Sequence, residues 1–210
     1  MLNEDAPITD SVAQTAHLGQ VLQQHRPRLL AMLRRRIDPA LAKRLDAEDL
    51  LGEVFLLAGR RWQAWLTQAR EKSPTTISEQ AYPWLYRLAL DCLIEAWRKE
   101  TRGPRDLREE MPWPDRSSVQ IGIGLIHSGT SASQALAREE LRRSIKHVLE
   151  LLPASDRELF RMRHEDELSH AEAGQVLSIS ENAAAVRYMR ALKRLRELWN
   201  RLHPGDSAAP

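Results

Sequence analysis

The chain has 210 residues, 42% of them hydrophobic, with 31 lysines and arginines against 29 aspartates and glutamates. That length holds one large or two small packed domains, and a net charge of +2 confines any polyanion-binding character to local patches. No apolar run approaches the roughly 20 residues of a membrane span, and the opening residues lack the basic start and apolar middle of an export signal. Cys92 is the single cysteine, so an intrachain disulfide is excluded and a thiolate metal site is disfavoured. A cytoplasmic chain without membrane insertion, cofactor or metal is expected.

Strand signals are nearly absent and helical periodicity is pervasive, which predicts an all-α fold. The first ordered helix is predicted over Leu18–Arg36, behind a flexible arm at 1–17. Asp38-Pro39 breaks it, and a short helix is predicted over Ala40–Leu45. Asp46 can cap the next helix, Ala47 to about Thr67, with Leu50, Leu51, Val54, Phe55, Ala58, Trp62 and Trp65 as its apolar positions. The polar stretch QAREKSPTTISEQ reads as a loop. Tyr82-Pro83 opens another helix, with Pro83 in the first turn, where its missing donor costs nothing. That helix carries Trp84, Leu85, Leu88, Ala89, Cys92, Ala96 and Trp97, and fades after Arg102-Gly103-Pro104.

From Gly103 to Ser133 the composition turns to Gly, Pro and Ser without a steady period, the mark of a linker. Helical periodicity resumes over Gln134–Leu152. Pro153 ends it, and Ser155 or Asp156 is expected to cap a short helix through Arg163. The predicted organisation is a helical domain at 18–102, a linker at 103–133, a four-helix domain at 134–203 and a tail at 204–210.

The strongest local signal lies between Leu168 and Leu202. Ser169 and Glu172 form a capping-box pattern that starts a helix ending near Leu177. Ser178-Ile179-Ser180 interrupts it, and Ser180 can cap a second helix beginning at Glu181. Two helices joined by so short a turn make a helix-turn-helix, which sets its second helix into the major groove of DNA. Gly174 lies inside the first helix, where it costs about 1 kcal/mol relative to Ala; a close helix crossing would justify it. The second helix carries Arg187, Arg190, Lys193, Arg194, Arg196 and Arg201 against Glu181 and Glu197.

Plainer readings compete with these. The basic stripe alone fits a solvated helix face. Trp62, Trp65, Trp84 and Trp97 fall at core spacing, and packing is favoured over base stacking for each. His164-Glu165 with His170 does not make a zinc motif, because its two histidines need to stand four apart on one helix. Cys92 lies on an apolar face and reads as inert core. There is no glycine-rich phosphate loop and no nucleophile–base pattern, so a catalyst is not expected.

The succession AEDLLGEVF, PWLYRLALDCLIEAWRKE and ELLPASDRELFRMRHEDELSHAEAGQVLSISENAAAVRYMRALKRLREL resembles the bacterial sigma-70 family of RNA polymerase sigma factors. The compact form is similar to its extracytoplasmic-function class, which keeps regions 2 and 4 joined by a linker. The resemblance covers Leu18–Arg102 and Gln134–Leu202. It implies a partner, core RNA polymerase, met through Asp49, Gly52, Glu53 and Phe55; Gly52 stands where the family usually has Gln. It implies promoter DNA as a second partner. The −10 element would meet the helix from Trp84 to Arg98 and the loop from Thr67 to Gln80. Trp84 offers a stacking surface there, with Lys72, Arg87, Arg98 and Lys99 for phosphates, and Thr75, Thr76 and Ser78 as hydrogen-bonding groups.

The −35 element would meet Ala185, Val186, Arg187, Met189, Arg190 and Arg194. Arginine can bridge guanine or hold a phosphate, and an apolar side chain suits a thymine methyl. Ala185 departs from the Lys or Arg often found at its position. An anti-sigma factor is a further partner the family admits, and the free chain is expected to be a monomer. Two other functions fit parts of the sequence. One is a stand-alone helix-turn-helix regulator with an N-terminal sensing or dimerisation domain; the other is an adaptor that occupies polymerase without productive initiation. The composition of the linker generates a first test. Limited proteolysis of the free chain is expected to cut first between Gly103 and Ser133, and equal resistance there and in the helices would contradict the linker assignment.

Overall fold

The structure, a computed structural model, describes residues 6–38, 41–72, 77–101 and 135–204. Among the described residues there are seven α-helices and no strand. The chain divides into two compact units, Met1–Gly103 and Pro104–Pro210. The predicted linker lies outside the described residues.

The first unit packs α1 (Ala6–Arg36), α2 (Ala47–Lys72) and α3 (Ile77–Thr101) against one another. Leu29, Met32 and Leu33 of α1, Leu51, Val54 and Ala58 of α2, and Leu85, Ala89 and Leu93 of α3 are all buried at helical spacing. The Arg36 guanidinium donates to the Tyr86 hydroxyl inside this core, and that of Arg28 lies 3.6 Å from the Tyr82 ring centroid. Both cations thereby join α1 to α3 through aromatic partners, with Arg36 buried and Arg28 partly so. At the surface, Arg26 meets Glu48 at 2.6 Å and Arg44 meets Glu100 at 3.3 Å.

Four boundaries differ from the sequence reading. Helix α1 begins at Ala6, not Leu18, because the alanines and Gln14 there accept a helix without an apolar stripe to announce it. The helix also runs through Pro27, which denies the Gln23 carbonyl its donor; the buried leucines beyond it hold the rod together. The short helix predicted over Ala40–Leu45 is a turn at 41–44, closed by Leu41 and Ala42 N–H to the Asp38 carbonyl, and Ala40 itself lies outside the described residues. Helix α2 continues to Lys72 because Leu66 and Ala69 extend its buried face beyond Trp62. Helix α3 starts at Ile77, so Pro83 is its seventh residue and not in its first turn. Most of the loop expected from Thr67 to Gln80 is therefore helix. The Asp46 cap is present, its carboxylate accepting from the Glu48 N–H at 2.6 Å.

The second unit holds α4 (Ala135–Glu150), α5 (Ala154–His164), α6 (His170–Leu177) and α7 (Glu181–Leu202). Ile145, Val148 and Leu149 of α4 and Phe160 of α5 bury against Ala191, Leu195 and Trp199 of α7. Pro153 caps α5 with no side-chain hydrogen bond, so the expected cap at Ser155 or Asp156 does not form. Asp156 is instead buried, and its carboxylate is hydrogen-bonded by Arg194 of α7.

The turn between α6 and α7 is built as its residues dictate. Ser169 Oγ accepts from Glu172 N–H at 3.0 Å while the Glu172 carboxylate accepts from Ser169 N–H at 2.7 Å. Ser178 takes the left-handed conformation at φ 58°, and Ile179 N–H closes on the Gly174 carbonyl at 2.9 Å. Ser180 Oγ then accepts from Ala183 N–H at 3.1 Å and opens α7. A Cβ on Gly174 would lie 2.9 Å from the Ile179 carbonyl oxygen and 3.3 Å from the Glu181 nitrogen. Both neighbours are backbone and cannot swing aside. Gly174→Ala is expected to cost about 1–3 kcal/mol despite the better helix propensity of alanine, read by denaturant unfolding. A stabilised variant would show that the turn can open at no cost.

Candidate nucleic-acid interface

Helix α7 divides into two faces. Ala184, Ala191, Leu192, Leu195 and Trp199 point into the unit. Val186, Met189, Arg190 and Lys193 recur at the opposite spacing and point outward. Val186 is 42% exposed and Met189 60%. Arg187 and Ala185 sit half-buried on the flanks. Among the described residues Arg187 and Arg190 make no ion pair, so their charge faces water. Lys193 is shared with Glu197 at 3.9 Å. Arg194 keeps about half its side chain exposed while holding Asp156, which makes it a brace between α5 and α7 as well as a surface cation.

A polar joint under the same helix has no counterpart in the sequence reading. The hydroxyl of Tyr188 and Nε2 of His164 share a hydrogen bond of 2.8 Å. Phe160 stacks on His164, and His170 lies 5.5 Å from Tyr188 between ring centroids. Tyr188 thus hangs α7 on both α5 and α6. Burial, then the nearby Arg163 charge, pushes the His164 and His170 imidazoles below the ordinary histidine range. Burial also raises the Tyr188 phenol. Below them Arg161, Glu165 and Asp166 are buried charges, with Arg161 Nε 3.9 Å from the Glu165 carboxylate. No spacing rule links Phe160, His164 or His170 to Tyr188; only the packing of α5 and α6 against α7 brings them together.

In the first unit, Trp62, Trp65 and Trp84 form an indole cluster across α2 and α3. Trp65 and Trp84 stack at 4.7 Å and 18°, and Trp62 and Trp65 at 5.1 Å and 29°. Trp62 is buried, while Trp65 and Trp84 keep part of their rings accessible. Arg87, Arg98 and Lys99 of α3 are exposed, and Lys99 meets Glu95 at 3.4 Å. Lys72 is the last residue of α2; its side chain and those of Thr75, Thr76 and Ser78 lie outside the described residues. Asp49, Gly52 and Glu53 lie together on the exposed face of α2, with Phe55 half-buried beside them. A Cβ on Gly52 would meet nothing within 4 Å, so the fold of the chain does not require glycine there. Cys92 is buried, its thiol pushed up to about 11 chiefly by desolvation, as fits an inert core position. No group of residues that could hold a metal ion occurs among the described residues, and no described helix is long and apolar enough to cross a membrane.

Comparison with known proteins adds three findings. Residues 142–195 match the family described as Sigma-70, region 4. The chain is 24% identical over 152 residues to the ECF RNA polymerase sigma factor SigW of Bacillus subtilis (strain 168), covering 72% of this chain and 74% of that protein. It is also similar to a solved structure of the sigma factor RpoE in complex with the anti-sigma factor NepR from Bartonella quintana. That match has 20% identity and a TM-score of 0.36, and covers 88% of this chain and 94% of that one.

The histidine joint makes a pH test. The fold favours neutral imidazoles, while the unfolded chain takes up protons near pH 6.5, the ordinary value. Below about that pH the unfolded state binds more protons, so stability falls as the pH drops. Denaturant unfolding at pH 7.5 and 5.5 is expected to show the loss, and a His164→Asn, His170→Asn double variant to lessen it. An undiminished loss in that variant would move the pH sensitivity elsewhere.

Proposed function

We propose that this chain is a member of the sigma-70 family of RNA polymerase sigma factors and works as its extracytoplasmic-function members do, binding core RNA polymerase and directing it to promoters. The observation that carries the reading is the tight, doubly capped turn that presents α7, within the segment matched to region 4. On this reading Arg187 and Arg190 bring cations to the −35 groove, and Ala185, Val186 and Met189 form its apolar surroundings. Arg194 contributes through the orientation it gives α7. In the first unit the indole cluster and the exposed Arg87, Arg98 and Lys99 face the −10 element, with Trp84 and Trp65 offering a stacking edge to an unpaired base. Lys72 is assigned to the same surface on the resemblance alone. Asp49, Gly52, Glu53 and Phe55 dock on the polymerase. The chain makes and breaks no covalent bond of its own. An anti-sigma factor, such as the one that accompanies the similar Bartonella protein, is a natural regulator.

Run-off transcription with core polymerase from the same cell, with and without the chain, tests the whole reading. Loss of the Arg187 side chain is expected to cost about 1–3 kcal/mol and relax preference at one promoter position if it bridges guanine. Loss of Arg190 is expected to weaken all promoters alike and to lower the salt sensitivity of binding if it meets phosphate. A folded double alanine variant with unchanged promoter preference would remove α7 as the reader.

The docking face yields a separate test. Gly52→Ala is expected to stabilise the chain by about 0.5–1 kcal/mol, because the new methyl meets open space on a helix. Asp49→Ala is expected to weaken polymerase binding while the chain stays folded. Phe55→Ala should do the same at a smaller stability cost than the roughly 3–5 kcal/mol of a fully buried phenylalanine. Pull-downs with core polymerase, paired with melting curves, read both quantities. Unchanged affinity in folded Asp49 and Phe55 variants would sink the assignment.

A further inference from the structure

The outward face of α7 carries an apolar pair that its charge does not explain. Val186 and Met189 are the sixth and ninth residues counted from Glu181, close to the end of the helix that meets base edges in a helix-turn-helix. They stand three apart and so form one patch. Neither is needed by the core, which α7 fills from its other face. Large apolar side chains left in water beside cations mark a contact surface. The surrounding charge is positive, from Arg187, Arg190 and the partly shared Lys193. An acidic apolar partner or a nucleic acid would answer it. The capped turn favours the nucleic acid, because it is the helix-turn-helix arrangement that sets the start of its second helix into a major groove, and this pair lies within the first nine residues of α7.

Resting on the proposed promoter reading, we infer that Val186 and Met189 are specificity-determining residues that recognise the 5-methyl groups of thymine in the −35 element. The thymine methyl is the one apolar group a base pair shows in the major groove. The division between the two follows from their side chains. Val186 is held to one χ1 rotamer in a helix and selects one methyl position strictly. Met189 has three rotatable bonds and adapts to a neighbouring step. Arginine beside them supplies attraction to any sequence, and the apolar pair supplies the preference among sequences.

The test uses the full chain with core polymerase. Duplexes are selected from a pool randomised across the −35 region, and each thymine in the winners is replaced by deoxyuridine, which removes the methyl and nothing else. At one or two positions the replacement is expected to weaken binding about fourfold, the fold-change equivalent to roughly 0.8 kcal/mol for one buried methyl-sized group. The loss is expected to fall below about twofold in Met189→Ala for one position and in Val186→Ala for the other. Met189→Leu is expected to restore much of the response. Equal binding of thymine and deoxyuridine duplexes throughout, or a response unchanged in both alanine variants, overturns the inference. If the response is absent while Arg187→Ala and Arg190→Ala still change promoter selection, the promoter reading stands and only the methyl assignment falls. If selection yields no −35 preference at all, both fall. Alanine variants that bind DNA normally but lose core polymerase would identify the patch as a protein surface and also overturn it.

Discussion

The second unit depends on one contact between backbones. Gly174 of α6 lies against the Ile179 carbonyl and the first nitrogen of α7, closer than any side chain would allow. That approach fixes the angle between the two helices, because every atom in it belongs to the main chain. The capping hydrogen bonds at Ser169 and Ser180 then satisfy the donors that so abrupt a turn exposes. Ser178 absorbs the change of direction in a left-handed conformation. The direction in which the outward face of α7 points is therefore set locally, and the core beneath it, from Ile145 to Trp199, holds the helix at that setting.

A second layer of control comes from groups that serve no patterning rule. Tyr188 lies next to Arg187 and Met189 in sequence but faces the other way, into a joint with His164, Phe160 and His170. Asp156 and Arg194 brace the same two helices at another point. A helix pinned at Tyr188 and Arg194 cannot easily roll about its axis, and rolling would exchange its apolar and cationic flanks. On the proposed promoter reading, rigidity at this place bears directly on selectivity, since groove contacts are sensitive to small displacements.

Local chemistry was the legible part of the sequence. The caps at Asp46, Ser169 and Ser180, the mid-helix glycine and the three-residue turn were readable because each acts within a few positions of itself, whereas the cap expected at Ser155 or Asp156 was not made. The boundaries at Leu18, Thr67 and Tyr82 misled for a shared reason. Each was placed where apolar periodicity weakened or proline appeared, yet α1 begins earlier over residues that carry no apolar stripe, and α2 and α3 continue because Leu66 and Ala69, and Ala81 and Tyr82, are buried at those points. Pro27 and Pro83 sit inside helices for the same cause. Of the candidate site, the exposed residues of α7 and the Asp49–Glu53 face could be chosen from spacing and resemblance. The indole cluster was half visible: core spacing was evident, but the pairing of Trp65 with Trp84 requires two helices. The His164–Tyr188 joint and the Asp156–Arg194 brace were invisible, since their partners are brought together only by tertiary packing.

The bracing of Arg194 by Asp156 and the sharing of Lys193 with Glu197 also limit how tightly α7 can grip a polyanion. Of the six cations on α7, Lys193 and Arg194 already have an acidic neighbour within the chain, and Arg187, Arg190, Arg196 and Arg201 are left to face a polyanion. On the proposed reading the helix therefore neutralises fewer phosphates than its formal charge suggests, and the salt dependence of its grip follows that smaller count.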